Sequence, residues 1–207
     1  MNIVQFLDYA AVFIFGLTGA LAASRAQLDI VGFVFLACLT AVGGGTLRDV
    51  ILNRDQVFWI ADPGMIFSAS LAAILVFFTA HLLESRLRAL EWLDAFALSA
   101  AVPAGVGVAM SMGQAWPIVV IMGIATGTFG GLMRDVVCNE VPLVLKKGEL
   151  YATAAFAGAL AAVLMGLLTE VLPLILLTCA VCTFLLRAGS LRLGWCLPVY
   201  RSRPPRA

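Results

Sequence analysis

Charge is scarce in this chain: of 207 residues only 12% are Asp, Glu, Lys or Arg, about half the roughly 25% of a soluble domain. So few charged groups cannot cover a water-facing globule. Thirteen basic residues against 12 acidic ones leave a net charge of +1, which excludes the broad positive field that nucleic-acid binding needs. There is one histidine and there are five cysteines. Cys179-x-x-Cys182 has redox or metal spacing, but it lies in an apolar run without a second pair, so it reads as small packing residues. Gly-x-Ser-x-Gly, His-Glu-x-x-His and phosphate-loop motifs are missing. The expectation is a non-enzyme without cofactor or metal.

What the chain has in abundance is apolar length: 62% hydrophobic residues and a mean hydropathy of +1.04. Stretches of about 20 apolar residues suit a bilayer. Seven are predicted: Leu7–Ala23, Ile30–Leu52, Gly64–Leu83, Trp92–Met112, Pro117–Cys138, Glu149–Leu168 and Leu172–Leu186. The fold class is thus an all-α membrane protein, with no soluble domain and no cleaved leader expected. Arg25, Arg86, Arg88, Arg134, Lys146, Lys147, Arg187, Arg192, Arg201, Arg203 and Arg206 fall on one side of these spans and only Arg48 and Arg54 on the other. The positive-inside rule then places the N-terminus outside and the C-terminus in the cytoplasm of a prokaryotic inner membrane. Arg187 to Ala207 reads as a basic, Pro-containing topogenic tail.

Sliding the sequence by 86 positions lays Thr40–Asn53 on Thr126–Asn139 with seven of 14 residues identical, and brings Asp8 onto Asp94 and Gly19 onto Gly105. Three spans per copy is an odd number, so the second copy enters the membrane upside down. The expected organisation is a first three-helix repeat over 1–90, an inverted one over 91–170, a seventh helix over 171–190 and the tail over 191–207. Inverted repeats of this kind place transport sites at the interface between copies, often on interrupted helices.

Gly43-Gly44-Gly45 and Gly130-Gly131 lie mid-span, where each glycine lowers helix propensity by about 1 kcal/mol relative to Ala. They predict kinks lining a pore, with close packing through small residues as the alternative; Gly123, Gly127 and Gly131 have the spacing for that. Arg48-Asp49 and Arg134-Asp135 follow at matched positions, and charge in such a place lines a pathway or staples the scaffold. Thr40, Thr46, Thr126 and Thr128 offer hydroxyl ligands unless they bond back to their own helices. Phe129, standing where the first copy has Gly43, is a candidate constriction. Asp8 and Asp94 read as helix-dipole partners near the starts of their spans.

The doubled Gly-Gly-x-x-Arg-Asp, at Gly44–Asp49 and Gly130–Asp135, resembles that of the prokaryotic trimeric intracellular cation (TRIC) channels, whose bacterial relatives are also labelled glycine transporters. That resemblance implies a homotrimer among membrane lipids with an hourglass pore in each protomer, lined by the first, second, fourth and fifth spans. It also implies K+ as the permeant ion, with Na+ less favoured. A secondary transporter of glycine or another small zwitterion is the competing expectation, and an assembly protein the third.

Overall fold

The computed structural model describes residues 2–82, 85–146 and 149–198, and among them every regular element is helical. The helices are α1 (Ile3–Arg25), α2 (Ile30–Ile51), α3 (Phe58–Ala61), α4 (Gly64–Thr79) with a 3-10 turn to Leu82, α5 (Arg86–Ser111), α6 (Trp116–Val137), α7 (Ala152–Gly166) and α8 (Leu172–Leu193). Side chains of Asn2, Asp29 and Ser85 cap α1, α2 and α5 by accepting from N–H groups three residues on, which satisfies donors that a helix start otherwise leaves free.

Among the described residues six helices, not seven, are long and apolar enough to cross a membrane: α1, α2, α4 with its turn, α5, α6 and α8. The expected span Glu149–Leu168 is shortened to α7, whose 15 residues reach about 22 Å. Its start is pulled away because Glu149 binds Arg187 and the Leu150 N–H donates to Ser190 Oγ. Its end folds into a turn as the Leu167 and Leu168 N–H groups donate to the carbonyls of Leu164 and Met165.

The last helix departs the other way. α8 continues to Leu193 and stops at Gly194 in a left-handed conformation (φ 70°), so Arg187, expected to begin the tail, lies inside the helix and is completely buried. Residues 199–207 of the expected tail, with Arg201, Arg203 and Arg206, lie outside the described residues, as do Leu83, Glu84, Lys147 and Gly148.

The fully buried run Ala100–Ala109 makes α5 the central helix, and it packs on α1, α6 and α8. α1 runs antiparallel to it, Val4 reaching Gly107, and carries α2 and α4 on its other sides. α2 crosses α6, and α7 fits between α6 and α8. One end of the bundle, the entry face, holds Asn2, Arg54, Asp62 and Met112. The other, the basic face, holds Arg25 bonded to Glu140, Arg86 donating to the Ser24 carbonyl, and Lys146 near Glu91. Phe35, Phe67 and Phe78 stand outward on the periphery, where a hydrocarbon solvent accepts them.

Candidate functional site

The two Arg-Asp pairs form the same constellation twice. Arg48 donates from Nε to Asp49 Oδ1 at 2.7 Å and from Nη1 to Asp8 Oδ1 at 2.9 Å. Arg134 donates from Nε to Asp135 Oδ1 at 2.8 Å and from Nη1 to Asp94 Oδ1 at 2.8 Å. The second oxygen of each motif aspartate accepts a backbone N–H, Phe58 for Asp49 and Leu143 for Asp135, both at 2.8 Å. Each aspartate therefore anchors the segment that follows its own helix. Asn53 and Asn139, the last shared residues of the repeat, are both left-handed (φ 50° and 55°) and close matching C-terminal turns in which the N–H groups of Arg54 and Glu140 donate back to the carbonyls of Asp49 and Asp135.

Asp8 and Asp94 are counter-ions here, correcting the expectation that they answer helix dipoles. Each lies well inside its helix, and both are buried. An arginine cannot discharge in a protein, so burying it demands such partners. With both carboxylates ionised the Arg134 triad sums to −1, whereas Arg54 Nη1, 3.2 Å from Asp49 Oδ1, brings the Arg48 cluster to neutrality.

The glycines do not interrupt their helices: α2 and α6 remain continuous α-helices through Gly43–Gly45 and Gly130–Gly131. They let the helices touch backbone to backbone. A Cβ on Gly44 would collide with the Thr126 carbonyl and one on Gly130 with the Thr40 carbonyl. These two reciprocal contacts place the α2/α6 crossing between the triads. All four candidate threonines bond back to their own helix: Thr40 Oγ1 to Leu36 O and Thr126 Oγ1 to Met122 O at 2.6 Å, Thr46 Oγ1 to Val42 O at 2.7 Å and Thr128 Oγ1 to Ile124 O at 2.9 Å. Thr40 and Thr126 thus meet the crossing through their carbonyls. Gly43 faces the Met133 thioether and Gly45 the Phe58 ring. Phe129 is half-buried, next to Gly130 at the crossing.

A cavity of about 560 Å³ opens from the entry face, lined in part by Gln5, Asp8, Arg54, Phe58 and Asp62. Past Asp8 and Phe58 a second cavity of only about 10 Å³ reaches Gly44, Gly45 and Thr126. That is room for about one water, so this cavity does not continue as an open passage at the crossing.

The family model described as glycine transporter matches this chain twice, over residues 5–81 and 91–166. The chain belongs to that family. Its relatives include the UPF0126 membrane protein of Vibrio cholerae, 34% identical over 96% of this chain and 83% of the relative, and the inner membrane protein YadS of Escherichia coli, 36% identical over 76% of each. Among solved structures, the TRIC trimeric intracellular cation channel orthologue from Rhodobacter sphaeroides superimposes with a TM-score of 0.90 and 41% identity, over 94% of this chain and all of that one. A prokaryotic TRIC channel solved in 0.5 M KCl gives 0.87 and 27% over 94% and 98%. This member of the glycine transporter family is thus a membrane protein with the TRIC fold.

Sequence reasoning missed four residues around the second triad: Thr18, whose Oγ1 accepts from Arg134 Nη1 at 2.9 Å, and Glu149, Tyr151 and Arg187. Thr18 has no counterpart, since the shifted position is Ala104. A signal existed for Asp8 and Asp94, which match at the same offset as the motif arginines. For Arg187 only an arginine within reach of an apolar run hinted at burial.

Proposed function

We propose that the chain forms a passive, potassium-permeable monovalent-cation channel in which each protomer carries its own path along α1, α2, α5 and α6. The likeness to the Rhodobacter sphaeroides TRIC orthologue over the full length of that chain carries this reading. The path enters beside Asp8 and Arg48, passes the crossing at Gly44 and Gly130, and leaves beside Asp94 and Arg134. Conduction requires α2 and α6 to part at the glycines, where freed Thr40 and Thr126 carbonyls provide oxygens of modest field strength for a partly dehydrated K+, and less favourably Na+. Helix bending at Gly43–Gly45 and Gly130–Gly131 supplies that motion, with Phe129 and the motif charges of Arg48, Asp49, Arg134 and Asp135 shaping the path.

In this reading the protein is a homotrimer in the inner membrane. α7, completed by its flanking turns, makes a seventh crossing, so that two inverted three-helix units and α8 leave the N-terminus outside. A purified trimer in planar bilayers under a KCl gradient is expected to give unitary currents reversing near the potassium potential. One observation favours a second reading, uptake of a zwitterion such as glycine: the entry cavity carries both signs of charge, Asp8 and Asp62 against Arg54. Saturable glycine counter-flow in liposomes without unitary current would select it.

A further inference from the structure

The two triads share their chemistry but not their surroundings. Beside Arg48 the counter-ion Asp8 opens to the entry cavity. Beside Arg134 and Gly131 stands the phenol of Tyr151, which is only 1% exposed, where Arg48 and Gly45 have the Phe58 ring, 5.3 Å from the Arg48 guanidinium. Gly131 makes that possible: a Cβ on it would lie 3.1 Å from the Tyr151 hydroxyl and 3.6 Å from both Arg134 Nη2 and Asp94 Oδ1. Yet Tyr151 Oη, Arg134 Nη2 and Asp94 Oδ2 are all buried without a hydrogen-bond partner. Groups that could satisfy one another, or water, stand together unsatisfied, at a cost that an outside restraint on Tyr151 can offset.

The restraint comes from α8. The Arg187 guanidinium lies 5.1 Å from the Tyr151 ring centroid and donates to Glu149 Oε2 at 2.7 Å, a cation over an aromatic face. Ser190 holds Leu150 by accepting its N–H at 3.1 Å. Residues 149–151 are thereby strapped to α8 at both ends, while Arg187 Nε and Nη1 have no partner of their own.

We propose that Tyr151 is the plug that closes the basic-face half of the path, and that Arg187 and Glu149 are the positioning residues through which α8 holds or releases it. This rests on the proposed path past both triads. Displacement of α8 relative to α5 and α7 withdraws the phenol, and water enters beside Asp94 and Arg134 to satisfy the groups left bare.

The test places a cysteine reporter at Thr18, a buried neighbour of Arg134, in protein whose five native cysteines are replaced, and follows its modification by a small cationic methanethiosulfonate in liposomes, with K+ flux measured in parallel. The reporter is expected to stay protected with Tyr151 and with Y151F, and to react at least about tenfold faster in Y151A, E149Q and R187M, the increase measuring the larger open population. The exchange E149R with R187E is expected to restore protection. Elution volume and thermal midpoint identify variants that fold. If folded Y151A and R187M react no faster than the parent, or the parent reacts as fast as Y151A, the plug is overturned. If labelling follows expectation while no protein passes K+, the plug stands and the channel reading fails.

Discussion

Two halves of one molecule, built on the same motif, differ in their access to water. The Asp8 side chain keeps 12% of its surface exposed and borders a cavity of about 560 Å³, whereas the Asp94 side chain has none and Arg134 gains a third partner in Thr18. The arginine geometry itself is unchanged between them, to within 0.1 Å for each matched bond. Duplication therefore preserved the buried ion triads, while the residues packed around each copy diverged. Chemistry is repeated in this protein and access to it is not.

The comparison can be broken first at its most symmetric point. Leu at Gly44 or at Gly130 would be driven into the carbonyl of the facing helix. Both variants are expected to lose folded protein and K+ flux together, an overpacking cost of about 3 kcal/mol or more. A tolerated Leu at one position alone would show that the crossing is not reciprocal.

Next come the arginines. Arg134→Leu strands two carboxylates, a loss of about 3–5 kcal/mol for a buried pair, whereas Arg48→Leu strands Asp8 and leaves Asp49 its contact with Arg54. The thermal midpoint is expected to fall further for Arg134→Leu, whose partners have no cavity from which to recruit water; equal shifts would contradict the difference in access.

Conduction sharpens the contrast more gently. Asp8→Asn is expected to lower K+ current a few-fold at low salt, the loss fading as KCl rises and screens the cavity mouth. Asp94→Asn should act mainly on stability. A salt-dependent current loss from Asp94→Asn and none from Asp8→Asn would reverse the assignment of the open half. The smallest effect belongs to Thr18→Val, which removes one buried hydrogen bond and should cost about 1 kcal/mol by chemical denaturation.

Much of this arrangement was legible before folding. α2 and α6 end within a residue of their expected limits, because the shared Asn53 and Asn139 close each helix by a local rule that a sequence displays directly. Gly44 and Gly130 are legible by position but not in kind: a glycine row looks the same whether a helix bends there or another helix leans on it, and only the facing carbonyl shows the close contact. Tyr151 and Arg187 were illegible for a different reason. One precedes a short helix and the other follows an apolar run, so neither breaks a pattern, and their meeting depends on α8 packing beside α7.

The sequence by itself determined that this protein lives in a membrane, that it repeats at an offset of 86 residues, and that each copy carries a Gly-Gly-x-x-Arg-Asp motif, since composition and periodicity are local properties. Only the tertiary structure decided which carboxylates neutralise the arginines, that the glycines stand at a helix crossing, and that Asp8 borders a cavity while Asp94 is fully buried. Those outcomes depend on distances between helices remote in the chain, which hydrophobic pattern constrains only loosely.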